Sequence, residues 1–212
     1  MTIAGSEQVR TPSKTDRDAL IQLSQANVIE RLSANPEKAV TTLAMSGSID
    51  DGLVCSVTQG SHSAVMDMGI AMGGEARGPS PGFFGRAGIV GCVAIATKMT
   101  AAREGLEFRS VHVDLEMDSD DLAVFGLGSR KAAPLQTRIM IQIETDEPAD
   151  TVSRLVERVL DADPWYLALR DPQTVSVKWQ KSSRGELGKL GTPAEAIRQP
   201  IDEDDTAAQT KA

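Results

Sequence analysis

Cysteine, histidine and aromatic residues are all scarce here: two cysteines, two histidines and 3% aromatics in 212 residues. Two cysteines, Cys55 and Cys92, are too few for a secreted disulfide scaffold. Their spacing excludes the paired-cysteine zinc signatures, and His62 and His112 stand far apart from each other and from any acidic ligand motif. Each histidine reads as a surface or strand residue, so no metal site is expected. No Walker A loop and no G-x-G-x-x-G is present, and no nucleotide or other cofactor is expected. Basic residues are outnumbered 30 to 22 by acidic ones, for a net charge of −8. That balance opposes binding to nucleic acid or to an anionic membrane surface. No apolar run approaches the ~20 residues that span a bilayer. The N-terminal MTIAGSEQVRTPSKTDRD lacks the apolar region of a secretory signal, so the expected location is cytoplasmic.

What is present is an ordinary globular composition, 41% apolar and 25% charged. It is organised around GGEARGPSPGFFGRAGIVGCVAIATKMTAAREG, Gly73 to Gly105. Gly73-Gly74 and Gly78-Pro79 break the chain. Ser80 can cap a helix with Pro81 at its first position, where the missing N–H costs nothing. Phe83 to Arg103 is mostly apolar or small, and Gly105 is a left-handed stop. The spacing predicts one long, largely buried helix with Cys92 near its middle. Gly82, Gly85, Gly88 and Gly91 recur every third residue, and each helical glycine costs about 1 kcal/mol relative to alanine. Something must pack close to this backbone, either another element of the same chain or a helix of a partner subunit.

Around this centre the chain divides as follows: residues 1–13, a flexible N-terminus; 14–35, an N-terminal helix; 36–181, the main domain; 182–212, a flexible acidic tail. Asp16 to Leu32 has an amphipathic helical period, with Leu20, Leu23, Val28 or Ile29, and Leu32 near one face. Strands are predicted at Ala39 to Ala44, Leu53 to Thr58 and His62 to Met66, forming an antiparallel meander joined by turns at Asp50-Asp51-Gly52 and Gly60. Cys55 shares a strand face with Leu53 and Val57 and reads as a buried structural thiol. Phe108 to Met117 and Leu135 to Thr145 alternate as strands. Pro148 to Leu160 reads as a helix, and Val175, Val177 and Trp179 mark a last strand. Strands with helices grouped to one side give an α+β class.

The pattern GG-x3-GPSP-x10-C-x12-G resembles the OsmC/Ohr superfamily, whose members carry GG, then G-x-N-P-E, then an apolar helix with one cysteine. The resemblance covers roughly Pro36 to Lys181. It implies the OsmC-like fold, an intertwined homodimer with two central helices packed together and sites at the subunit interface. It also implies thiol-dependent reduction of organic hydroperoxides. There the helix cysteine attacks, a second cysteine resolves the sulfenic acid, and a glutamate and an arginine activate the thiolate.

Residue by residue, Cys92 matches the attacking cysteine. Gly82 stands at the glutamate position, Asp163 at the second cysteine, and the strand arginine has no counterpart. The chain therefore reads as a divergent member lacking the second cysteine. The helical neighbours of Cys92 are apolar or glycine, and Arg77, in the loop before the helix, is the candidate activator. Two functions remain open. One is a one-cysteine peroxidase in which an external thiol reductant resolves Cys92. The other is a non-catalytic dimer that binds a small apolar ligand at the subunit interface, with Cys92 structural.

Overall fold

A computed structural model describes residues 13–179 and 181. The expected flexible N-terminus, Ser13 apart, and the expected tail at 182–212 lie outside the described residues. The chain forms two compact units. One contains residues 13–41 and 82–172; the other contains 42–81 together with 173–179 and 181.

The first unit is built on α2 (Pro81–Glu104). Its buried residues Ile89, Val93, Thr97, Thr100 and Ala101 recur at helical spacing and make one stripe. Thr97 Oγ1 donates to Val93 O at 2.7 Å, so the polar atom in this stripe is satisfied within the helix. By length and composition α2 is the one helix among the described residues able to cross a membrane. Its buried stripe nevertheless makes it the core helix: Ala101 closes against Phe108, Leu155 and Val159, with Leu106, Val111, Ile143 and Val152 packed around them.

Phe108 opens β4 (Phe108–Asp118), which pairs antiparallel with β5 (Gln136–Thr145) over nearly its whole length. The alternation read from the sequence holds. Val111, Val113, Leu115 and Met117 turn inward while His112, Asp114 and Glu116 stay exposed. The outer face carries cross-strand ion pairs, Arg109 with Glu144 and Asp146, and Arg138 with Glu116 and Asp118. Between the strands lies a short α3 (Asp121–Val124), capped by Asp120. α4 (Ala149–Leu160) buries Leu155 and Val159, as its pattern predicts. Pro164 then opens a further helix, α5 (Pro164–Arg170).

α1 (Lys14–Ala34) starts with a capping box between Ser13 and Asp16. It rests on α2 through polar contacts: Asp18 to Lys98 Nζ at 2.8 Å, Gln22 Nε2 to Arg103 O at 3.2 Å, and Arg103 to Gln25 at 3.2 Å. The apolar face predicted for it, Leu20, Leu23, Val28 and Ile29, is exposed.

The second unit holds the predicted meander, in the order β1 (Ser46–Ser48), β2 (Cys55–Gln59), β3 (His62–Met66). Gly52 and Gly60 both take positive φ at the predicted turns. Two expected strands differ. The first is shorter and later than Ala39 to Ala44, because Pro36 starts a 3-10 turn that runs to Ala39 and Val40 and Leu43 find no ladder. Val175 to Trp179 is irregular and exposed, since no strand among the described residues pairs with it.

Candidate functional site

The sequence motif before α2 is explained inside the second unit by one carboxylate. Asp67 is 2% exposed and accepts three backbone N–H bonds, from Met68 at 2.7 Å, Glu75 at 3.0 Å and Arg77 at 3.0 Å. The Arg77 N–H is foremost in holding its pKa below the usual carboxylate range, against the opposing effect of burial. The loop so gathered leaves no room for side chains. A Cβ on Gly74 would collide with the Met68 carbonyl and sit 2.7 Å from Asp67 Oδ1, and one on Gly78 would strike the Val65 carbonyl. Gly73 takes φ +82°, and Ala76 is held at φ +55°, a left-handed value that a non-glycine residue enters at a cost. The loop thus fixes the backbone of Arg77 and leaves its side chain exposed.

The glycines inside α2 have a different environment. A Cβ on Gly85, Gly88 or Gly91 would meet nothing within 4 Å. Among the described residues, then, no neighbour within the chain accounts for these three glycines. Phe83, Ile95 and Met99 on the same helix are also exposed, by 50%, 61% and 39%.

Cys92 is half-buried in the middle of α2, and both it and Cys55 are free thiols. Its neighbours along α2 are apolar or glycine, as expected, but a polar group reaches it from α5. Asp163 is completely buried. Its Oδ1 caps α5, accepting from the N–H groups of Trp165 at 3.0 Å and Tyr166 at 2.9 Å. Its Oδ2 is buried without an aligned hydrogen-bond donor. The Asp163 carboxylate also acts on the Cys92 thiol. Burial pushes the thiol pKa up first; hydrogen bonding to Asp163 and the charge of Asp163 push it further, and the Trp165 N–H opposes them. Asp163, which the resemblance sets at the second cysteine, is thus one of the groups that raise the thiol pKa of Cys92.

The sequence reading placed Asp163 at that position without giving it a role. Asp163 followed by Pro164 is a helix-start signal, a capping side chain before a first-position proline, and it would have located both α5 and the carboxylate.

A groove of about 740 Å³ between α5 and β5 is lined by Leu135, Ile139, Ile141, Tyr166, Leu169 and Arg170 among others; neither Cys92 nor Asp163 lines it. No group of three His, Cys, Asp or Glu side chains among the described residues could hold a metal ion.

The OsmC-like protein family matches residues 73–178, which includes the glycine motif, Cys92 and Asp163. The chain belongs to the OsmC-like family. Among solved structures, the OsmC-like protein from Mycoplasma pneumoniae superposes with a TM-score of 0.52 at 9% identity, covering 61% of this chain and 88% of that one. This likeness supports an OsmC-like fold. Looser likenesses include an organic hydroperoxide resistance protein OsmC from Legionella pneumophila, at 17% identity, TM-score 0.48, and coverage of 62% and 90%. Another is the organic hydroperoxide resistance protein OhrB of Bacillus subtilis, at 17% identity, TM-score 0.41, and coverage of 61% and 91%. No curated protein matches the sequence significantly.

Proposed function

We propose that this OsmC-like protein reduces organic hydroperoxides through Cys92 by a one-cysteine mechanism, with a low-molecular-weight thiol as reductant. The observation that supports this reading is Cys92, the cysteine of the apolar helix in a chain of the OsmC-like family, half-buried as a free thiol in the middle of α2. With a carboxylate at position 163, no intramolecular disulfide of the family's usual kind can form, so resolution falls to an external thiol. Arg77 remains the candidate activator. A homodimer seated on the open face of α2 would account for Gly85, Gly88 and Gly91, which meet no other group among the described residues.

The raised pKa of the Cys92 thiol favours a second reading, in which an OsmC-like dimer binds a small apolar ligand and Cys92 stays inert. The two separate in one assay. The purified protein is mixed with cumene hydroperoxide and dithiothreitol, and peroxide loss is followed, with Cys92→Ser and Arg77→Ala as comparisons. The first reading expects catalytic consumption that Cys92→Ser abolishes and Arg77→Ala slows. Consumption no faster than with dithiothreitol alone sinks the peroxidase and leaves the binding protein.

A further inference from the structure

The loop that carries Arg77 is closed by its own backbone. The Asp67 N–H donates to Pro79 O at 3.2 Å, the Ala76 N–H to Met68 O at 3.2 Å and the Gly74 N–H to Gly69 O at 3.3 Å. These bonds set the path of the chain from β3 to Pro79 without any charge. Asp67 nevertheless places a carboxylate at 2% exposure inside the loop, and a buried charge persists only against strong partners. Its two oxygens do different things. Oδ1 accepts from the adjacent Met68 N–H at 2.7 Å, a local turn. Oδ2 accepts from the N–H groups of Glu75 and Arg77, each at 3.0 Å, across eight and ten residues of chain.

Neighbouring N–H groups that converge on one oxygen form an anion-binding concavity, and a left-handed residue is what brings them together. Ala76, between the two donors, is that residue, at φ +55°. Gly73 takes a positive φ of +82° in the same loop at no steric cost. Position 76 carries an alanine instead, which holds such a conformation only while its surroundings impose it. We propose that Asp67 is the positioning residue of Arg77: its Oδ2 fixes the backbone on either side of Ala76 and so aims the activating guanidinium. This inference rests on the hydroperoxide reading, which makes Arg77 the activator, and adds to it the residue that directs Arg77.

Arg77 has need of such an anchor. Its side chain is exposed, and it stands on a segment with Gly73, Gly74 and Gly78, whose backbones are free to wander unless something holds them. The anchor in turn requires two of those glycines, because a Cβ at Gly74 would sit 2.7 Å from Asp67 Oδ1 and one at Gly78 would strike the Val65 carbonyl. A long side chain on a wandering loop must be ordered afresh each time it meets a substrate, whereas one on a fixed backbone starts close to the productive geometry. The two residues also support each other electrically. The Arg77 N–H is the foremost cause that keeps Asp67 ionised, and the Arg77 charge is a further, smaller one.

A double-mutant cycle separates aiming from mere support. Cumene hydroperoxide reduction with dithiothreitol is measured as kcat/KM for wild type, Asp67→Asn, Ala76→Gly, Arg77→Ala, and each of the first two combined with Arg77→Ala. All are assayed at a temperature where near-UV circular dichroism shows them folded. Asparagine leaves one acceptor oxygen and turns an NH2 toward N–H groups that need an acceptor. Asp67→Asn is therefore expected to lower kcat/KM by about 10- to 100-fold. Ala76→Gly relieves the left-handed alanine and adds no atom, so it should melt no lower than wild type, yet lower kcat/KM by about threefold or more as the backbone before Arg77 loosens. In the Arg77→Ala background both losses should vanish, because a residue that acts through Arg77 then has nothing to aim. A carboxylate that only supports the fold would cost the same factor in both backgrounds. That result, or wild-type kcat/KM in Asp67→Asn or in Arg77→Ala, overturns the positioning role and leaves the peroxidase standing. Should Asp67→Asn not fold, the Ala76→Gly cycle decides by the same criteria. A wild type no faster than dithiothreitol alone overturns both.

Discussion

The action of Asp163 on the Cys92 thiol predicts that the two positions lie within cross-linking reach. In an Asp163→Cys variant the two sulfurs should oxidise to a disulfide, in a Cys55→Ser background to remove the other thiol. The bridge closes a loop of about 70 residues, which in the chain-entropy account stabilises the fold by about 4 kcal/mol. Losing the α5 cap costs about 1 kcal/mol. Removing a buried oxygen without a donor offsets that by an amount in the range of about 1–3 kcal/mol. The reduced variant should therefore lie near wild type, and the oxidised one about 4 kcal/mol above it. With a urea slope of about 2 kcal/mol per molar, that is a midpoint difference of about 2 M between oxidised and reduced samples. Thiol titration with an aromatic disulfide reagent reports closure, and urea unfolding followed by circular dichroism reports the energy. Two titratable thiols after treatment with mild oxidant, in a folded protein, would refute the placement of position 163 against Cys92.

Three further outcomes follow from other parts of the chain. Gly88→Leu meets open space among the described residues and improves helix propensity by close to 1 kcal/mol, so a monomer should tolerate it. If a partner helix lies on that face, sedimentation should show wild-type dimers and Gly88→Leu monomers; a monomeric wild type contradicts the dimer. Gly74→Ala should destabilise the fold by several degrees in a thermal melt, because its Cβ has only the Met68 carbonyl to occupy; an unchanged melt refutes the tight loop. Asp67 has a depressed folded pKa, so its contribution is present above the unfolded carboxylate value near 4 and is lost as pH falls through the folded value. Asp67→Asn should therefore narrow the stability gap to wild type below pH 4, and a gap that stays constant from pH 7 to pH 3 argues against it.

Much of this molecule was legible in its sequence, for reasons that differ between elements. β3 falls where alternation and turn glycines put it, and α4 and β4 keep their predicted faces, because local period and burial agree there. Gly73, Gly74 and Gly78 could be recognised as a motif, yet their cause, Asp67 drawing three N–H groups together, involves a residue that alternation alone leaves anonymous. The face of α1 was misread in effect: Leu20 and Leu23 do share a side, but the helix docks through Asp18, Gln22 and Gln25. Val175 to Trp179 has strand composition and no ladder, and composition cannot supply a pairing partner. At the site, Cys92 was found from the motif. Its neighbour was not, because helical spacing finds contacts three and four residues away and Asp163 arrives from another helix.

The central claim is that burial first, and then Asp163, raise the pKa of the Cys92 thiol, and its titration tests that most directly. Alkylation of Cys92 by iodoacetamide, quantified by mass spectrometry across pH 5 to 11, gives the thiol pKa in wild type and in Asp163→Asn. The account predicts a wild-type value above the free-thiol figure of about 8.5, and a lower one once the carboxylate charge is gone. A wild-type value at or below that of a free thiol, unmoved by Asp163→Asn, would contradict it.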